Sequence, residues 1–171
     1  MSHLRELANM GVDLNPKHLG EWPLKVGQYI LNCGVIELIS YQHLDALEQT
    51  RAEFNKNADR FLSQRITRIV TLVQQSSTIS PIDKTDLEGL WSEAVELSSL
   101  RNRIAHNPVL PTWKPGSDPA TQPPDLMGIP DMKQMKHGNT SESISLDGLK
   151  RLIDATASLG TRLHAATAKL R

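Results

Sequence analysis

The sequence predicts an all-α fold, a helical bundle of about four to five main helices with a long Pro-rich loop before the last helix. Three observations carry this. Aromatic residues make up only 4% of the 171 residues, so Leu, Ile, Val and Ala carry the apolar load, which suits helices better than a β-sandwich. Apolar residues recur at three- and four-residue spacing through most of the chain. Seven of the ten prolines fall between Pro108 and Pro130, where that periodicity stops.

Residues 1 to about 21 are weakly patterned. Leu4, Leu7 and Ala8 fit one side of a short helix stopped by Gly11, and Asn15-Pro16 reads as a turn. A first strong helix is expected from about Pro23 to Leu47, with Val26, Tyr29, Ile30, Cys33, Ile36 and Ile39 on its apolar face. Pro is acceptable in a first turn because its missing N–H would have no partner there. Gly27 and Gly34 share a face of this helix; they either admit a second helix closely or are simply tolerated.

A second helical region covers about Gln49 to Gln75, with Phe54, Ala58, Phe61, Leu62, Ile66, Ile69, Val70 and Val73 as its stripe. Asn55-Lys56-Asn57 is expected to break it in two. Arg51, Lys56, Arg60, Arg65 and Arg68 read as a polar side, either a solvated basic face or a groove facing phosphates. Ser80-Pro81 starts a third helix: Ser caps, and Pro occupies the first helical position. Asp83 and Asp86 suit its positive N-terminal dipole. The helix should end at about His106, because the residue before Pro108 is pushed out of the α region.

Residues 107 to about 143 read as a long irregular connection, with Trp113 partly docked and short β pairing around Leu126 to Met135. A last helix is expected from about Leu146 to Leu170, capped by Ser145, with Leu149, Leu152, Ile153, Ala157, Gly160, Leu163, Ala166 and Leu170 spaced for packing. The whole chain, 1–171, is read as one domain: core helices over 22–106, the loop over 107–143, the final helix over 144–171.

Lys plus Arg and Asp plus Glu number 19 each, so the chain is no generic polyanion binder, and any nucleic-acid site must be local. The lone Cys33 sits among apolar residues and fits a small buried hydrophobe in a reducing, cytoplasmic setting. No run is long and apolar enough for a membrane span.

The chemistry gathers at Arg101-Asn102-Arg103-Ile104-Ala105-His106-Asn107-Pro108. On a helical wheel, Leu87, Leu90, Trp91, Ala94, Leu97 and Ile104 form one stripe, and Arg101 falls near its middle. A guanidinium there must pair with a core carboxylate or face a cleft that takes an anion. Asn102 and His106 lie about 40° apart at one edge of the stripe. His can take or give a proton at neutral pH, Arg can hold a phosphate by two parallel bonds, and Asn can orient either. Around them no carboxylate or Cys–His cluster has metal-ligand spacing. The bland alternative is that Arg101 pairs in the core and His106 is a cation at a helix C-terminus.

This stretch resembles the Arg-x4-His motif of the HEPN superfamily, whose favoured form has a polar residue directly after the Arg. The resemblance covers residues 24–170 in architecture but only 101–108 in residues. It implies a metal-independent endoribonuclease without cofactors, in which Arg101 and His106 are the catalytic pair and Asn102 the polar helper. Arg103 and Asn107 would contact RNA. It further implies a homodimer that brings two motifs into one cleft, and an antitoxin or defence-complex protein as partner. Some relatives carry a Tyr two residues after the His; this chain has Pro108, so neutralisation through that Tyr is not implied. The competing readings are a non-catalytic helical interaction module and a nucleotide-sensing domain in which Arg101 holds a phosphate.

Overall fold

The computed structural model describes residues 19–106, 110–113, 116, 122–129 and 142–170; within these, the side chains of Ala105 and His106 are among those outside the description. The order is α1 (Trp22–Leu47), α2 (Arg51–Ala58), α3 (Leu62–Gln75), α4 (Pro81–His106), β1 (Leu110–Thr112), β2 (Leu126–Ile129), β3 (Glu142–Ser145) and α5 (Leu146–Ala166), closed by a 3-10 turn at Thr167–Leu170. The fold is an all-α helical bundle. Among the described residues no helix is long and apolar enough to cross a membrane. The chain divides into two compact units, one of Gln28–Asn102 with Arg151–Arg171, the other of Met1–Gly27 with Arg103–Lys150.

The larger unit is built on apolar faces. Tyr29, Cys33, Ile36 and Ile39 of α1 are buried at the expected spacing, and Ile36 and Ile39 join Ile66, Ile69, Leu87, Trp91, Leu159 and Leu163 in one core cluster. Gly27 and Gly34 have open space where a Cβ would stand, so neither marks a close approach among the described residues. On α5 the packing residue the pattern omitted is Leu159, which is fully buried, whereas Ala157 is exposed.

Caps set the helix starts. Thr50 accepts from the Glu53 amide at 3.2 Å and donates to the Glu53 carboxylate at 3.1 Å, a reciprocal cap that begins α2. Ser80 does the same with Asp83, at 3.2 and 2.6 Å, and fixes the start of α4.

Three expectations for the second helical region are corrected. The break falls at residues 59–61, after Ala58, rather than at Asn55–Asn57. Asn57 stays helical and buried because its amide donates to Glu48 at 2.7 Å. Phe61 leaves the core stripe and is exposed, since it precedes the first residue of α3. The basic residues share no solvated face either. Arg51, Lys56 and Arg60 are exposed, but Arg65 is only 2% exposed. It donates to Ser40 Oγ, Tyr41 Oη, Glu37 Oε1 and the carbonyls of Ala58 and Arg60, at 2.8–3.0 Å. Its guanidinium also lies 3.9 Å from the Tyr41 ring centroid. Each of the three nitrogens of this buried guanidinium thus donates, which offsets a desolvation that would otherwise be costly.

The smaller unit carries more β pairing than the short stretch expected around Leu126 to Met135. Its described parts form a three-stranded antiparallel sheet in the order β1-β2-β3. Leu110 pairs with Gly128, and Leu126 pairs with Ser145. β1 is an edge strand, where Pro111 costs no ladder bond that a central strand would need. The β2 strand falls within the segment expected to pair; Met135 lies outside the described residues. β3 runs straight into α5, and Ser145 caps that helix by accepting from the Gly148 amide at 3.0 Å. Trp22 is buried and donates its indole N–H to the Pro124 carbonyl at 2.9 Å. Trp113 is half-buried, as expected, and donates to Gln122 at 2.9 Å. Gly20 turns at φ 57°, where a Cβ would stand 3.2 Å from Pro123. The short helix expected around Leu4–Ala8 lies outside the described residues.

Candidate functional site

α4 carries the candidate residues. Its cap holds the first turn, and Leu87, Trp91 and Ala94 bury one face in the core. The helix continues to His106, two residues before Pro108, as the steric demand of that proline requires.

Arg101 is half-buried, and its Nη1 donates to the exposed Asn102 Oδ1 at 3.1 Å. Among the described residues, no carboxylate forms an ion pair with it. The wheel placed Arg101 in the apolar stripe; in the structure it sits at that stripe's solvated end. Four of the five guanidinium donors are left by the Asn102 bond for water or an anion.

A feature that the sequence reasoning missed lies beside it. Burial pushes the Cys33 thiol up, while a hydrogen bond with Tyr29 and the positive charge of Arg101 pull it the other way. The Tyr29 hydroxyl also donates to the Leu97 carbonyl. Arg101 thus projects its field onto a Tyr29–Cys33 pair on α1. The available signal was the four-residue spacing of Tyr29 and Cys33, which puts them on one helix face.

Arg103 and Ile104 are half-buried. The His106 main chain ends α4, its side chain lies outside the description, and Asn107 lies outside the described residues altogether. Arg101 and Asn102 are therefore brought together by a hydrogen bond.

Of the other histidines, His43 is fully buried and packs edge-on against Trp91, with ring centroids 5.2 Å apart. Its Nε2 lies 3.1 Å from the Leu163 carbonyl and from Thr167 Oγ1. A carbonyl only accepts, so the neutral ring carries its proton on Nε2. This histidine is structural. Among the described residues no three His, Cys, Asp or Glu side chains group as a metal site would need.

No family model matches this sequence, and neither a curated protein nor a solved structure resembles it significantly.

Proposed function

We propose that the chain is a metal-independent endoribonuclease of the HEPN type, acting in a toxin or phage-defence setting. The observation that supports this most is Arg101. It is a half-exposed guanidinium with no carboxylate partner among the described residues, hydrogen-bonded to the next residue, Asn102, and carried on the helix that ends at His106. Arg101 would bind a bridging phosphate of RNA, with Asn102 holding the guanidinium plane. His106 would take the proton from the ribose 2′-OH as that oxygen attacks the adjacent phosphorus. The bond from phosphorus to the 5′-oxygen then breaks. A second His106, from a second copy of the chain, would protonate the leaving oxygen. The products are a 2′,3′-cyclic phosphate and a 5′-hydroxyl. DNA, lacking the 2′-OH, would resist. Arg103 and Asn107 would add contacts to the RNA backbone.

The test is incubation with single-stranded RNA in excess EDTA. Cleavage to cyclic-phosphate ends that is lost in His106→Ala supports the reading. Intact RNA, or equal cutting by His106→Ala, overturns it.

A further inference from the structure

The apolar anchoring of α4 stops about two turns short of Arg101. Leu87, Trp91 and Ala94 are fully buried. Beyond them Leu97, Leu100 and Ile104 are only half-buried, and between Ala94 and Ile104 the one buried residue is Ser98, whose short polar side chain adds little apolar packing. A polar tie from α1 reaches the turn that carries Arg101. The hydroxyl of Tyr29, a fully buried residue, donates to the Leu97 carbonyl. Helical pairing sends the Arg101 amide to that same carbonyl, whose two lone pairs serve both donors.

The direction of these bonds extends the tie by one group. A carbonyl only accepts, so the single hydroxyl proton of Tyr29 goes to Leu97. In the hydrogen bond between Tyr29 and Cys33 the Tyr29 oxygen must then accept from the thiol. Burial pushes that thiol up and keeps it protonated, as a donor must be. The chain of donors runs from Cys33 to Tyr29 to Leu97, and the Arg101 amide meets it at the last carbonyl. All four residues belong to the larger unit.

We propose that Tyr29, supported by Cys33, is a positioning residue for RNA cleavage. It touches no substrate. It fixes the turn from Leu97 to Arg101, so that the guanidinium fork stands where the bridging phosphate arrives. The inference rests on the ribonuclease reading. A misplacement of about 1 Å at a group that holds the reacting phosphate costs on the order of 100-fold in rate, and a bond at the root of the turn is placed to prevent it.

The experiment measures cleavage of single-stranded RNA in EDTA, well below the melting temperature, with kcat and KM separated. Tyr29→Phe removes the hydroxyl and keeps the ring. It should lower kcat roughly 10- to 100-fold and leave KM within about twofold, because the groups that bind RNA stay present. Ser80→Ala, which weakens α4 at its other end, should cleave as the parent does. Cys33→Ser keeps a donor for Tyr29, whereas Cys33→Val has none and suits apolar surroundings better. Cys33→Val should therefore melt at the higher temperature while Cys33→Ser cleaves faster. A merely structural role would put Cys33→Val ahead in both. Should Tyr29→Phe not fold, the two Cys33 variants decide. Three results would overturn the inference and leave the ribonuclease reading standing: Tyr29→Phe cleaving at the parent rate, Ser80→Ala slowed to the same extent, or Cys33→Val at least as active as Cys33→Ser. A parent chain that leaves RNA intact would overturn both.

Discussion

Arg68 holds the carboxylate of Glu48 with two hydrogen bonds, Nε to Oε1 at 2.8 Å and Nη2 to Oε2 at 2.9 Å. The Glu48 side chain is 1% exposed and also accepts from Asn57 at 2.7 Å. α3 is thus tied to the end of α1 and to α2 through one buried carboxylate. Removing one member of such a pair strands the other. Glu48→Gln should therefore destabilise the fold by about 2 kcal/mol, a figure lowered because Arg68 keeps access to water. Urea denaturation read at the helical band checks it, and an unchanged midpoint would contradict it.

The pH dependence of stability should fall in two stages. The Arg68 hydrogen bond, opposed by burial, holds Glu48 below the usual carboxylate range. Its contribution is present above the ordinary Glu value and is lost as pH falls through the lower folded value. His43 acts earlier. Burial lowers it from 6.5 to about 4, against the hydrogen bond to Leu163. Below 6.5 the unfolded chain takes up a proton that the native chain refuses, so stability drops between 6.5 and about 4. The total from His43 is on the order of 3 kcal/mol. Thermal melts at intervals between these pH values should show the slope in the parent chain and a flat response in His43→Phe.

Arg65 should be the least replaceable basic residue of the larger unit. Lysine has three donors on one atom and cannot reach two carbonyls, two hydroxyls and a carboxylate with the geometry of a guanidinium fork. Arg65→Lys and Arg65→Met should each cost about 3 kcal/mol or more. An exposed control, Arg60→Met, should stay within about 0.5 kcal/mol of the parent.

Arg101 should behave in the opposite way. Its one described polar bond is to its own neighbour Asn102, so Arg101→Ala should change stability by no more than about 0.5 kcal/mol. If RNA cleavage is observed, the same variant should abolish it, and Arg101→Lys should restore little because a bidentate phosphate contact needs the fork. A large loss of stability in Arg101→Ala would favour a structural role instead.

Single-residue loss of the cap at the start of α4 gives a smaller, local effect. Ser80→Ala should lower stability by about 1 kcal/mol. Hydrogen exchange should locate that loss in the first turn after Pro81.

Helix limits were legible where side chains act on their own backbone. Ser80, Ser145 and Pro108 each exert their effect within a few residues, so the sequence alone discloses it. The buried arginine was misplaced because a wheel records angle and not what packs opposite. Arg101 lies on the apolar arc but near the helix end, where solvent reaches it. Arg65 lies beside the arc of Ile66 and Ile69, yet the carbonyls freed by the break after Ala58 draw it inward. The sheet was harder still. β1 and β2 pair across residues 113–125 with little alternation, and strand pairing depends on register between distant segments. Of the candidate site, the residue types and their helix were readable, whereas the Tyr29–Cys33 neighbourhood of Arg101 needed three dimensions.

The Arg65 clamp also decides where this chain can be cut or lengthened. Its donors hold the carbonyls of Ala58 and Arg60, so a tag, a protease site or new termini placed at residues 59–61 would pull acceptors from a buried cation. Past the Ser76 amide, which closes α3 by donating to the Leu72 and Val73 carbonyls, the turn at Ser76–Thr78 is held by its own exposed hydroxyls. It is the point between α3 and α4 where an epitope, a fluorophore or circularly permuted ends can be introduced with the fold intact.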